Sequence, residues 1–137
     1  MTETTLHIER LRTRPDFLAA AQALHCARGA LVAQARARLD GHDKIRVGFT
    51  ATKRIGGAVV RNRAKRRLRE AARAVIPLFG VRGCDYVLIA RGGTTSRPWG
   101  RLLDDLKNAL KTLAADLRPN PGNTLESPSL QASQDQA

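Results

Sequence analysis

"KIRVGFTATKRIGGAVVRNRAKRRLREAARAVIP", residues 44–77, changes its period partway along, and that change decides the fold. In the first part Ile45, Val47, Phe49 and Ala51 fall on one face of an extended chain, with Arg46, Gly48, Thr50 and Thr52 on the other. A two-residue period is that of a strand with one face toward a core. The paired glycines Gly56 and Gly57 let the backbone turn sharply, and beyond them the period becomes helical. At 100° per residue, Val60, Ala64, Leu68, Ala71 and Val75 share a wedge of about 80°, wide enough to pack on a sheet. The helix is expected from about Val60 to Ile76, with Pro77 and Gly80 ending it.

Beside that wedge Arg61, Lys65, Arg69, Asn62, Arg73 and Arg66 fill a contiguous arc of roughly 140°, with Arg63 and Arg67 on the far flank. A solvated helix face normally mixes signs and gains i,i+4 pairs, yet here Glu70 is almost alone. The whole chain carries 24 Lys and Arg against 12 Asp and Glu, a net charge of +12, so it seeks polyanions. Arginine sharpens this, because a guanidinium fork matches phosphate oxygens and stacks on bases as an ammonium cannot. Asn62 has two readings by type, a contact to a sugar hydroxyl or a cap at the helix start. A membrane-surface helix is disfavoured, since the apolar face is mostly Ala and Val rather than Trp, Phe or Leu.

Working outward, "RPDFLAAAQAL" from Arg14 reads as a helix start and should end near Cys26 to Gly29. "ALVAQARAR", residues 30–38, reads as a weak strand, with "GHD" turning into the strand at Ile45. "CDYVLIARGG" is a short apolar strand, and "RPWGRLLDDLKNALKTLAADL" a helix with Leu102, Leu103, Leu106, Leu110, Leu113 and Leu117 on one side. This predicts an α+β domain, a small antiparallel sheet packed against helices on one face, in the order α-β-β-β-α-β-α. The other sheet face is left open. One domain spans residues 1–118, and 119–137, rich in Pro, Ser, Asn and Gln, reads as a disordered tail.

The composition also limits the function. No run approaches the ~20 apolar residues of a membrane span, and Arg10, Arg12, Arg14 and Asp16 interrupt any secretory segment, so the chain is read as cytoplasmic. Cys26 and Cys84 stand outside any metal-ligand spacing and read as buried reduced thiols, and the three histidines fall in no ligand pattern. No metal site is indicated. Nor is there a Ser-His-Asp, Cys-His or paired-carboxylate arrangement, which leaves no catalytic residue to name.

Residues 46–75, "RVGFTATKRIGGAVVRNRAKRRLREAARAV", resemble the signature of the bacterial ribonuclease P protein component: a strand, a basic "TK-[KR]-x-G-x-AV" turn and an RNR helix. With Phe17 in a first helix and "GCDYVLIARGG" before a leucine-rich last helix, the resemblance runs from Ile8 to Leu117. It implies the accessory protein of a ribonucleoprotein endoribonuclease, with two partners: a large catalytic RNA and the 5′ leader of precursor tRNA. The RNA would carry out hydrolysis with magnesium ions; no cofactor is assigned to the protein for certain, metal ions held by it are left open, and no protein partner is required. It also implies a left-handed βαβ crossover around the RNR helix, against the usual hand.

Carried over by position, Arg61, Asn62, Arg63, Lys65, Arg66 and Arg69 fall on the RNA-contacting motif, and Lys53 and Arg54 on the basic turn beside the leader groove. Arg46 and Thr50, on the strand's outer face, complete the RNA-binding set with Phe17. By type alone Phe17 reads as a core residue; the resemblance sets it in the groove, where a ring could stack on an unpaired base. The chain departs from the pattern at Gly57, where the family commonly has Asn. Ala21, Ala33, Ala35 and Ala37 stand where further groove aromatics are expected. The competing class is a general or ribosome-associated RNA-binding protein without a role in processing; a nuclease acting without RNA has little support.

Overall fold

The computed structural model describes residues 8–117, so the expected tail at 119–137 lies outside the described residues. Five strands and three helices follow one another as β1 (Ile8–Arg10), α1 (Arg14–Ala21), β2 (Leu24–Arg28), β3 (Leu31–Ala37), β4 (Ile45–Thr50), α2 (Ala58–Phe79), β5 (Cys84–Ala90) and α3 (Trp99–Asp116), with a 3-10 turn at Lys53–Ile55 before α2. The strands lie in the order β1-β4-β5-β3-β2. The α+β class and the three strands between α1 and α2 agree with expectation, but the sheet is mixed rather than antiparallel. β3 runs antiparallel to β2 and β5, whereas β4 is parallel to both β1 and β5. A parallel neighbour cannot be reached by a hairpin, so α2 serves as the crossover between β4 and β5.

Two elements depart from the sequence reading for reasons outside their own residues. The first helix stops at Ala21, because residues 24–28 pair antiparallel with β3, Leu24 opposite Ala35 and Arg28 opposite Leu31. The exposed strand β1 had no signal of its own and exists through its pairing with β4. The basic helix begins at Ala58 and continues through Pro77 to Phe79. Proline there, one turn from the end, forfeits a single backbone hydrogen bond instead of breaking the helix.

The main core lies between the sheet and the pair α2 and α3. Leu31, Ala33, Ala35, Ile45, Val47, Tyr86 and Leu88 meet Ala64, Leu68, Ala71 and Ile76 of α2 and Leu102, Leu106, Leu110 and Leu113 of α3. Tyr86 is fully buried, and its hydroxyl accepts the Val81 amide hydrogen at 2.8 Å. Cys84 is also buried, its thiol pushed up to about 11 by desolvation, while Cys26 is half-buried. Asp105 ties α3 to the rest: it accepts the Ala30 amide at 3.0 Å and both Arg97 donors at 2.9 and 3.0 Å. The opposite face is only partly open, because α1 and the connection before it cover it, Phe17 and Ala20 of α1 with Leu11 packing against Val87 and Ile89.

Candidate nucleic-acid interface

The buried side of α2 is Ala64, Leu68, Ala71, Ala72, Val75 and Ile76, nearly the wedge expected, and this rigid seat fixes the direction of every cation on the helix. Arg61, Lys65 and Arg69 turn toward β4; Asn62, Arg66 and Arg73 point outward; Arg63 and Arg67 turn toward α3. Among the described residues the only carboxylate paired with an α2 cation is Glu70, 3.2 Å from Arg73. Like charges at i,i+4 (Arg61 and Lys65, Lys65 and Arg69, Arg69 and Arg73, Arg63 and Arg67) each cost about 0.2–0.5 kcal/mol, so the helix bears roughly 1–2 kcal/mol of self-repulsion. Lys53 and Arg54 extend the surface from the 3-10 turn, both exposed.

The capping reading of Asn62 is excluded. Gly57 is the residue before the first helical turn, and Asn62 sits exposed inside the helix. Gly56 is required by its backbone, with φ at 142°, and a Cβ there would press on Val60 at 2.9 Å. Gly57 is different: its φ of −75° suits any residue and the space around it is open.

Across the sheet, α1 carries the Phe17 ring onto Gly48, where any Cβ would collide with it. Since Ala33 and Ala35 belong to the main core, the groove beside α1 is lined from β3 by Val32, Gln34 and Arg36, so the alanines do not stand in for groove aromatics. Ala21 is exposed near the end of α1, and Thr50 is half-buried on the groove face of β4. Arg46 lies on that face too, but its donors are committed to carboxylates: 2.7 Å to each Asp85 oxygen and 3.3 Å to Asp16. Asp85 is fully buried and also accepts from Arg38 at 3.0 Å. The Asp85 hydrogen bonds raise the Arg46 pKa further, which keeps it charged. Asp16 is lowered, first by the Thr13 hydroxyl, which donates to it at 2.7 Å, and then by Arg46 and Arg36. This pair network holds α1, and hence Phe17, on the sheet.

The two faces meet at the sheet edge. There a cavity of about 340 Å³ is lined by Arg10, Leu11, Arg12, Phe17, Phe49, Lys65 and Arg69. It brings together three of the residues singled out from the sequence: Phe17 from α1, and Lys65 and Arg69 from α2. The Arg69 guanidinium lies 5.7 Å from the Phe49 ring centroid. Arg10 and Arg12 were missed; the only signal was the alternation of "ERLRTR", residues 9–14, which pointed to nothing until β1 placed it beside β4. Four cations and two phenyl rings with no lining carboxylate make a site for an anion with an aromatic part, which describes a nucleotide. Among the described residues no three His, Cys, Asp or Glu side chains gather as metal ligands, and no helix is long and apolar enough to cross a membrane.

Residues 7–114 match the family described as Ribonuclease P. The ribonuclease P protein component of Caulobacter vibrioides is 66% identical over 113 residues, 82% of this chain and 76% of the relative. That of Ruegeria pomeroyi is 56% identical over 110 residues, 79% and 88% of the two chains. Among solved structures, the ribonuclease P protein of Thermotoga maritima superposes with a TM-score of 0.64 at 29% identity, covering 75% of this chain and 96% of that one. The Staphylococcus aureus protein, at 24% identity, TM-score 0.63 and coverages of 76% and 94%, shares the fold.

Proposed function

The chain belongs to the bacterial ribonuclease P protein family, whose role is that of a protein component in tRNA 5′ processing with an RNA partner, and from that premise we propose how its surface divides the work. Arg61, Asn62, Arg63, Lys65, Arg66 and Arg69 bind the catalytic RNA by phosphate and sugar contacts. The groove holds the single-stranded 5′ leader of precursor tRNA: Phe17 stacks on a base, Thr50, Lys53 and Arg54 contact the strand, and Arg10 and Arg12 take phosphates where groove and helix meet. Arg46 is a positioning residue, holding α1 through Asp16. Hydrolysis belongs to the RNA and its magnesium ions; the protein contributes binding and orientation, and neutralises phosphates that magnesium would otherwise have to screen.

The observation that carries this reading is the cavity at the sheet edge, where the unpaired cations of α2 meet the aromatic side of the groove. Reconstitution with a bacterial ribonuclease P RNA tests it. At low magnesium the protein should stimulate cleavage of precursor tRNA severalfold or more, and should favour precursor over mature tRNA. A protein that binds RNA without either effect is a general RNA-binding protein, and cleavage by protein alone would move the chemistry off the RNA.

A further inference from the structure

The α3 side of the basic helix carries a second cation and ring arrangement that the groove does not use. Trp99, the first residue of α3, is the chain's single tryptophan. At 42% exposure it is the one aromatic among the exposed large apolar side chains of the described residues. The leucines of α3 bury without it, so core packing does not account for the ring. One face lies under the Arg67 guanidinium, 5.6 Å from the ring centroid. Arg67 is held in turn, donating at 2.6 Å to the carbonyl of Thr94. Thr94 is itself fully buried, its hydroxyl donating to the Ala30 carbonyl at 2.6 Å and accepting the Arg91 amide hydrogen at 2.8 Å. A planar cation is thus fixed over a ring by a rigid support. Arg67 has no carboxylate partner among the described residues, and the exposed Arg63 lies one turn away on the same flank.

We infer that Trp99 and Arg67 form a stacking platform for an unpaired base of the RNA subunit, with Arg63 on a neighbouring phosphate. This rests on the RNA-binding reading above, which already includes Arg63, and adds Trp99 and Arg67, which neither that set nor the groove includes. A protein partner would need a broader apolar surface than one ring bordered by arginines. A single base needs only a ring, a guanidinium plane and a nearby cation, and all three are present. The RNA subunit is favoured over the leader because Phe17 lies on the other face of the sheet. A strand crossing the outside of α2 would pass from Lys65 and Arg69 to Arg63 and Arg67 without leaving the helix.

The single tryptophan makes the full-length chain its own probe. Tryptophan emission is titrated with ribonuclease P RNA and, separately, with precursor tRNA, while filter binding measures affinity independently. The RNA subunit should quench the emission saturably and protect Trp99 from iodide; precursor tRNA alone should do neither. Trp99→Ala should weaken binding to the RNA subunit by about 5- to 100-fold, the range for losing one base–aromatic stack, and Trp99→Phe should recover most of it. Because the leucines of α3 bury without the ring, both variants should keep the wild-type circular dichroism, and loss of the Arg67 contact in Trp99→Ala should lower the melting temperature by only a few degrees. RNA binding with unchanged emission and iodide access, or with wild-type affinity in Trp99→Ala, overturns the platform and leaves the RNA-binding reading standing. Absence of binding by the wild-type chain overturns both.

Discussion

Helices α2 and α3 lie side by side on the same face of the sheet and bury the same kind of stripe, yet their outer faces have nothing in common. The outer face of α3 mixes Arg101, Asp104, Lys107, Lys111 and Asp116, with Lys107 and Asp104 3.9 Å apart. That of α2 carries seven cations and Glu70. Since α3 shows that a helix on this sheet needs no such charge to be stable, the fold does not require the surplus on α2, which is the surface proposed above to meet RNA. The division predicts that the buried faces of both helices fail by unfolding and that the outer cations of α2, unlike those of α3, fail by losing RNA.

The sharpest way to break this division is a charge that is structural. Asp85 lies in the sheet, fully buried, with Arg38 and Arg46 on its oxygens. Asp85→Ala takes the buried carboxylate from between two guanidinium groups and should cost about 3–5 kcal/mol in a urea melt. It leaves Arg46 only Asp16 as an acidic partner, and Arg38, with a side chain only 2% exposed, only Asp40. Next come the two stripes themselves. Leu68→Ala on α2 and Leu110→Ala on α3 remove equally buried side chains, so each should cost about 2–5 kcal/mol. Neither should alter the salt dependence of RNA binding in the fraction that stays folded. A large difference between the two leucines would mean that α2 and α3 do not share one core.

The outer faces should separate in the opposite experiment. Replacing Arg61, Lys65, Arg66 or Arg69 by Ala should leave the melting temperature unchanged or slightly raised, by relief of repulsion. Each lost phosphate contact should flatten the plot of log affinity against log salt by roughly 0.7–0.9. Lys107→Ala and Lys111→Ala on α3 should leave that slope alone. Asn62→Ala belongs with the arginines: with no cap to lose, the helix should gain a few tenths of a kcal/mol from the better helix former, while RNA binding weakens.

Much of this organisation was legible in the sequence, and the parts that were not share a cause. The helices α2 and α3 and the strand β4 announce themselves because one face is buried over several turns or alternations, and burial writes a period into the residues. The segment Leu24–Arg28 carries no such period; it is a strand because β3 lies beside it, a fact held in another part of the chain. The groove failed by parity. Placing Ala33 and Ala35 on the groove side exchanges both faces of β3, and only the pairing with β5 reveals which set meets α3. Arg46 shows the same limit at the site. Its type and face fit a phosphate contact, but the register sets it opposite Asp85. The cations of α2 have no such carboxylate among the described residues apart from Glu70 beside Arg73, so their donors stay available for the phosphate contacts proposed above.

The smallest effect tests the turn that delivers α2 to its partner. Gly57 precedes the first turn of the helix and supplies no side chain to its free amide groups. Its φ of −75° and ψ of −173° are extended values at which Asn is favoured before a helix, and nothing lies within 4 Å of where a Cβ would be. Gly57→Asn should therefore raise stability by a few tenths of a kcal/mol to about 1 kcal/mol, through a cap and a less free unfolded chain. Gly56→Asn, one residue earlier, meets both a φ of 142° and the Val60 side chain and should destabilise. Chemical denaturation of the two variants beside the wild type reads the sign directly. If Gly57→Asn destabilised as Gly56→Asn does, the turn would be tighter than its open surroundings indicate, and the start of α2 would be held by backbone contacts alone.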